Sequence, residues 1–193
     1  YHSKTNRYVY LNGSSSFPMA SLSKLLIALT YLDKVDQGLI DPNKIVYINQ
    51  QSLRPYSTFA KMFISPNMSL PLNNALEAMM IYSENAATDI LYEEIGGVKA
   101  IKEFLNKYKF KHIDVSRSLL AVLAATDGID VESDFNLQQY HDQLNVISKR
   151  DEEKARKVFF NDKRDQTSAK GYLTVLVRLQ EGKLLSPKST EYL

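Results

Sequence analysis

Phe17-Pro18-Met19-Ala20-Ser21-Leu22-Ser23-Lys24 runs without a break into Leu25-Leu26-Ile27-Ala28-Leu29. This stretch predicts a helix covered on most sides, because apolar residues at 22, 25–29, 31, 32 and 35 leave almost no polar face. Gly38 marks its C-terminal stop. Helical neighbours lie three or four residues apart, so Ser21 is expected to face Lys24 while Ser23 points elsewhere. A lysine in the first turn of such a helix is desolvated, which disfavours the ammonium and moves the amine toward a usable base. The helix amino end adds backbone N–H groups and a positive dipole end suited to an oxyanion forming at Ser21. Read alone, the tetrapeptide favours the simpler reading of a capping Ser21 and a snorkelling surface Lys24.

The second stretch that bears on this choice is Ser83-Glu84-Asn85-Ala86-Ala87-Thr88. Ser69 is a plausible cap for a helix over residues 70–82, with Pro71 in its first turn and Leu72, Leu76, Met79 and Met80 on one face. A further helix follows to Ile95, stops at Gly96-Gly97, and gives way to another over 98–108. Helix, polar corner, helix, Gly-Gly, helix is the frame of an all-helical lobe, with Ser83 and Asn85 projecting from the corner. By itself that corner reads as a capping site.

Upstream, residues 7–11 (Arg-Tyr-Val-Tyr-Leu) predict a short strand, with Asn12-Gly13 turning the chain toward Phe17. Residues 44–48 predict another strand and 49–58 a polar loop broken by Pro55, whose Tyr56 is either a packing anchor or part of a cleft wall. Downstream, 119–125 is a short apolar helix, 127–134 an acidic loop and 136–160 a long, mostly polar helical stretch. Asp127, Asp130, Glu132 and Asp134 do not match a calcium loop, since the glycine comes second and the closing glutamate is absent, so a solvated loop is expected. Thr167 or Ser168 caps a helix to Glu181, and Ser186-Pro187 opens a last one.

With 193 residues and 44% hydrophobic side chains the chain can bury a sizeable core. A net charge of +2 with no aromatic-interleaved basic patch argues against a nucleic-acid partner. The absence of cysteine excludes disulfides, thiolate metal sites and a cysteine nucleophile. No apolar run reaches the roughly 18 residues of a membrane span, and no signal-peptide pattern opens the sequence.

Taken together these residues resemble the penicillin-recognising serine hydrolases, and most closely the class A β-lactamases. Residues 17–24 resemble the nucleophile motif, 82–89 the second motif, 95–105 the Gly-Gly helix after it, and 161–185 the segment after the omega loop. The resemblance implies an α+β fold, predominantly helical here: the all-α lobe of the β-lactamase/transpeptidase-like fold with a remnant of its antiparallel sheet. It also implies acyl transfer without metal or organic cofactor. Ser21 would attack the carbonyl of a β-lactam or a peptidoglycan-like amide, and Lys24 would take or relay its proton. Ser83 would protonate the leaving nitrogen, Asn85 would bind the substrate's side-chain amide, and Tyr56 would sit at the cleft rim. Asp165 corresponds to the aspartate at the neck of the omega loop, with Arg117 as its ion-pair partner. The family resemblance also implies a periplasmic or secreted protein.

Three departures qualify this. Glutamate replaces aspartate in the middle of the second motif. The Glu-x-x-Leu-Asn of the omega loop is missing, and residues 118–158 read as an insertion there, so the deacylating base passes to no residue; Glu132, Asp134 and Glu152 are the acids available. The Lys-Thr-Gly motif that binds the substrate carboxylate does not occur. Residues 1–193 are therefore expected to form one domain, incomplete at both ends. Its sheet would be completed by a missing segment or a second chain, since the strand at 7–11 would otherwise keep unpaired edges.

Overall fold

The structure is a computed structural model that describes residues 1–5, 7–62, 67–131 and 137–193. The predicted central helix is α1 (Ser23–Asp36), and its residues 26–32 are all buried, as the near-absence of a polar face requires. Gly38 takes a left-handed conformation just past its end, and the N–H of Leu39 closes back on the carbonyl of Lys34. Packed on α1 are α3 (Leu72–Tyr82), α4 (Asn85–Glu94) and α5 (Gly97–Lys107). Leu26, Leu29, Leu76, Met79, Leu91, Ile95 and Ile101 belong to this main core. In α5, Ala100, Ile101, Phe104 and Leu105 are buried while Lys99, Lys102 and Glu103 face solvent, the expected stripe at helical spacing.

Two small antiparallel pairs accompany these helices. Strand β1 (Ser16–Pro18) pairs with β4 (Gln166–Ser168), placing Phe17 opposite Thr167; β2 (Ile45–Ile48) pairs with β3 (Met68–Pro71), placing Tyr47 opposite Ser69. The second pair corrects the expected helix start: Ser69 is a strand residue, and α3 begins at Leu72 after Pro71. The backbone groups of 68–71 are satisfied by β2, so a residue suited to capping has no helix end to cap. The strand expected at 7–11 does not form either. Only a bridge between His2 and Arg7 is present, and Val9 and Leu11 are 91% and 90% exposed. A segment of high strand propensity needs a partner edge, and among the described residues nothing beyond that one bridge pairs with it.

The polar loop after β2 contains a 3₁₀ turn (Gln50–Ser52) closed by an Asn49 capping box, and is followed by the short α2 (Thr58–Met62). The segment 119–161 holds α6 (Leu119–Asp127), α7 (Leu137–Val146) and α8 (Lys149–Asn161). The single helical stretch expected at 136–160 is thus two helices, with Ser148 capping the second through the N–H of Asp151. Ala124, Ile129 and Tyr140, with Val131 and Leu144, make a small core of their own. Ser168 caps α9 (Ala169–Gln180), and Ser186-Pro187 opens α10 (Pro187–Tyr192), as their sequence signals predict. The α+β fold is predominantly helical, with two sheet remnants among the described residues. No described helix is long and apolar enough to cross a membrane.

Candidate active site

Lys24, the second residue of α1, is 4% exposed. Its amine donates to the Ser83 carbonyl oxygen at 2.6 Å, to Ser83 Oγ at 2.8 Å and to Asn85 Oδ1 at 2.8 Å. The fold thereby brings together three of the residues singled out from sequence, and a snorkelling lysine is ruled out by burial. Withdrawal from water lowers the Lys24 pKa to about 8, and the nearby Glu84 and Asp89 carboxylates oppose that shift without cancelling it. At pH 7 roughly a tenth of such an amine is neutral, against about one part in three thousand at the ordinary lysine pKa.

Ser83 can serve Lys24 twice because of its backbone. It ends α3 in the left-handed conformation, with φ 55° and ψ 35°, while the N–H of Glu84 reaches back to the carbonyl of Ala78. A non-glycine residue held there costs on the order of 1 kcal/mol, and here it turns both oxygens of one residue toward the same amine.

Ser21 lies in a 3₁₀ turn (Ala20–Leu22) that leads into α1, and it is exposed. It makes no capping hydrogen bond to α1, and among the described residues its hydroxyl is not bonded to Lys24. The expected contact of serine and amine is thus not made as a hydrogen bond among the described residues, and the amine is committed to the Ser83 and Asn85 corner. Ser23 does point elsewhere, donating to the Ala20 carbonyl at 2.9 Å. The turn is anchored from outside its own segment. Ala20 adopts φ 46°, Met19 N–H donates to the Asp165 carbonyl at 3.0 Å, and the Tyr172 hydroxyl donates to the Leu22 carbonyl at 2.9 Å.

Asp165 and Arg117 meet at 2.5 Å between Oδ2 and Nε, and Asp165 Oδ1 accepts the backbone N–H groups of Ser116 and Arg117. Arg117 also reaches Asp162 at 3.4 Å. The Asp162 carboxyl is held down at about 2, chiefly by the adjoining Arg164 guanidinium. The neck closed by these pairs brackets residues 118–164 and, through Met19, touches the Ser21 turn.

The middle residue of the second motif does more than the sequence indicated. Glu84 is 0% exposed; Oε1 accepts Ser57 Oγ at 2.5 Å and the Ala86 N–H at 2.9 Å, while Oε2 accepts the N–H groups of Thr58 and Phe59 at 2.6 and 3.0 Å. Asn85 Nδ2 donates to the Pro55 carbonyl at 2.8 Å. Tyr56 is thus carried on a loop held from both sides by the Glu84-Asn85 pair. It sits at φ 61°, and its hydroxyl donates to Asp127 Oδ2 at 2.8 Å.

Sequence reasoning missed Asp89 and Arg54. Asp89 Oδ2 takes Arg54 Nε at 2.8 Å, and its two oxygens accept the N–H groups of Leu119 and Leu120, capping α6. The available signal was an acid on the buried face of α4, which must find partners. Asp127 was read as part of a solvated loop, yet it is a buried residue at the end of α6. Glu152 is paired with Arg156 on the surface of α8 at 2.5 Å, and Glu132 and Asp134 lie outside the described residues. No group of three or more potential metal ligands occurs among the described residues.

The solved structure of a β-lactamase from Chitinophaga pinensis superposes with a TM-score of 0.72 at 21% identity, over 98% of this chain and 58% of that one. The chromosome-encoded β-lactamase of Vibrio parahaemolyticus gives 0.70 at 25% identity, over 98% and 60%. In sequence, the chain is 30% identical over 107 residues to the extended-spectrum β-lactamase PER-1 of Pseudomonas aeruginosa, covering 54% of this chain and 35% of that protein. It is 30% identical over 109 residues to a β-lactamase of Bacteroides uniformis, covering 55% and 37%. The chain therefore aligns with little more than a third of the length of these relatives. A family model described as the Beta-lactamase enzyme family matches residues 1–193. The buried lysine of the Ser-x-x-Lys turn, joined to the serine and asparagine of the Ser-Glu-Asn corner in a helical lobe of this topology, agrees with that match, and the chain belongs to the β-lactamase enzyme family.

Proposed function

We propose that the protein carrying this chain is a class A β-lactamase-like serine hydrolase that forms an acyl-enzyme at Ser21 with a β-lactam. The observation that carries this reading is the buried Lys24 amine, with its pKa lowered to about 8, hydrogen-bonded to Ser83 and Asn85 one turn from Ser21. In its neutral form the amine has a lone pair to take the Ser21 proton, directly or through a water. Oγ then bonds to the lactam carbonyl carbon and the carbonyl π pair moves to oxygen. As the carbonyl re-forms the C–N bond breaks, and the nitrogen takes the Ser83 hydroxyl proton, which Lys24 replaces across its 2.8 Å contact. Asn85 has one amide hydrogen left after bonding Pro55, and it serves the substrate's side-chain amide. Hydrolysis of the ester would return Ser21.

Residues 118–158 are read as an insertion in the omega-loop region, with the remainder of the sheet and the carboxylate-binding strand supplied by a further segment or a second chain. Export to the periplasm or beyond, and a role in antibiotic resistance, follow from the same reading. A second reading, a penicillin-binding or peptidase-like protein that acylates readily and deacylates slowly, is favoured by the state of the two acids whose charge acts on Lys24. Glu84 accepts four hydrogen bonds and Asp89 three, so neither is free to activate a water.

Intact-mass analysis of the full-length protein with benzylpenicillin tests the shared step. A covalent adduct that disappears in Ser21→Ala is expected, with residual reaction reduced roughly a thousandfold or more. No adduct, or one that survives the substitution, overturns the acylation and leaves a noncatalytic protein of this fold. Turnover of nitrocefin separates the two readings: many turnovers per minute indicate a hydrolase, and a single stoichiometric burst indicates slow deacylation.

A further inference from the structure

The 119–161 segment is joined to the loop after β2 at a point the family resemblance does not account for. Asp127, the last residue of α6, is buried, and Oδ2 accepts two phenols: Tyr56 at 2.8 Å and Tyr140 of α7 at 2.6 Å. The two tyrosines have opposite situations. Tyr140 is 2% exposed and belongs to the small core of this segment, whereas Tyr56 is 55% exposed and belongs to the loop that Glu84 and Asn85 hold. Pro55, immediately before Tyr56, accepts from the same Asn85 amide whose oxygen accepts from Lys24. The Tyr56 ring is therefore fixed at both ends: its backbone by the Lys24–Asn85–Pro55 chain, and its hydroxyl by a carboxylate 71 residues away in sequence. Its left-handed backbone is held by these flanking bonds, since a non-glycine residue does not adopt it without cost.

Resting on the acyl-enzyme reading above, we propose that Asp127 is a positioning residue that locks Tyr56 across the edge of the Ser21 cleft, so that the 119–161 segment sets which acyl side chains a β-lactam may carry. An aromatic ring anchored only at its backbone can rotate aside for a long substituent. One whose hydroxyl is bonded to a buried carboxylate must break that bond first, so the lock penalises bulky side chains and leaves compact ones unaffected. Burial and the same carboxylate push the Tyr56 phenol up to about 12, which provides an independent reporter of the tie.

The test uses the full-length protein and compares acylation rate constants for benzylpenicillin, with its compact side chain, and piperacillin, with its long one. Tyr56→Phe, which removes the bond to a charged acceptor, is expected to raise the piperacillin-to-benzylpenicillin ratio about tenfold or more, and Asp127→Asn, which leaves a neutral amide oxygen as acceptor, to raise it by less. The double variant is expected to go no further than Tyr56→Phe, because both changes act on the same bond. Tyr140→Phe, which loosens the small core but leaves the tie to Tyr56, is expected to change the ratio less than about twofold. In NMR titrations of ring-labelled tyrosine, Asp127→Asn is expected to bring the Tyr56 pKa down from about 12 toward the ordinary phenol value. An unchanged ratio in Asp127→Asn and Tyr56→Phe, with adducts still forming, overturns the positioning role alone. A shift in Tyr140→Phe as large as that in Asp127→Asn, with Tyr56→Phe unchanged, would make Asp127 a support of the α6–α7 packing and nothing more. Absence of any adduct in the wild type removes the acylation and the selectivity together. Tyr56→Phe changes only a hydroxyl on a half-exposed ring, so it reports even if Asp127→Asn fails to fold.

Discussion

The α3–α4 corner and the 119–161 segment make opposite uses of buried polar groups. At the corner, Lys24, Ser83, Glu84 and Asn85 bond to one another and to residues 55–59 through a dense set of short contacts, under a large apolar core. The 119–161 segment has a core of only a few side chains and is attached by three carboxylates: Asp89 at the start of α6, Asp127 at the end of α6, and Asp165 at the neck. The difference teaches where each region's stability comes from. The corner is held by saturation of charge inside a packed lobe, so removing one partner leaves buried charge uncompensated. The attached segment depends on a few tethers, and its surface charges matter little.

The sharpest way to break the comparison is at Lys24. Lys24→Met is expected to slow acylation by roughly a hundredfold to ten-thousandfold, the range for a lost general base, measured as adduct formation with benzylpenicillin. The wild-type rate is expected to rise with pH and level off above about 8, as the amine loses its proton. Stability follows the same group. Its folded pKa lies below the unfolded value of 10.5, so between about 8 and 10.5 the unfolded chain binds more protons and stability rises with pH. Below about 8 both states are protonated and the cost of burying the ammonium is carried in full. Urea denaturation across that window should show the rise in wild type and lose this component in Lys24→Met. A flat acylation profile would disconnect the amine from the chemistry.

Next in size is Glu84→Gln, which sets an amide NH₂ against N–H donors that the carboxylate now accepts. A loss of about 3 kcal/mol in urea denaturation is expected, as for charged hydrogen bonds left unmade. Because Glu84 holds the Lys24 pKa up, the acylation midpoint should move to lower pH in the same variant. Smallest is Glu152→Gln, half-exposed in the first turn of α8, where the pair with Arg156 and one favourable charge at the helix amino end are lost. A change under about 0.5 kcal/mol and unaltered hydrolysis of nitrocefin are expected. Loss of turnover there would instead identify Glu152 as the missing deacylating base and bring α8 into the active site.

Much of this was legible because its causes are local. Gly38, Ser148, Ser168 and Ser186-Pro187 start or stop helices through bonds spanning a few residues, and their meaning is carried by the residues themselves. The Ser-x-x-Lys and Ser-Glu-Asn stretches were visible for the same reason, and the resemblance joined them. What failed were readings in which a local preference competed with a remote partner. Ser69 has the chemistry of a cap and is taken by strand pairing with Tyr47. Residues 7–11 have the composition of a strand and are left without one. The acidic composition of 127–134 predicts a solvated loop because charge usually is solvated, yet Asp127 is buried and bonded to two tyrosines.

By itself, the sequence determined the succession of helices, the nucleophile and second-motif candidates, and the family. These depend on periodicity, capping chemistry and short motifs, which act over a handful of residues. Only the tertiary structure decided that the Lys24 amine is held by two oxygens of Ser83 and one of Asn85, that Glu84 organises the loop bearing Tyr56, and that Asp89 and Asp127 tether the 119–161 segment. The reason is physical: a buried charge must be satisfied by whatever donors the fold brings within about 3 Å, and those donors lie tens of residues away along the chain.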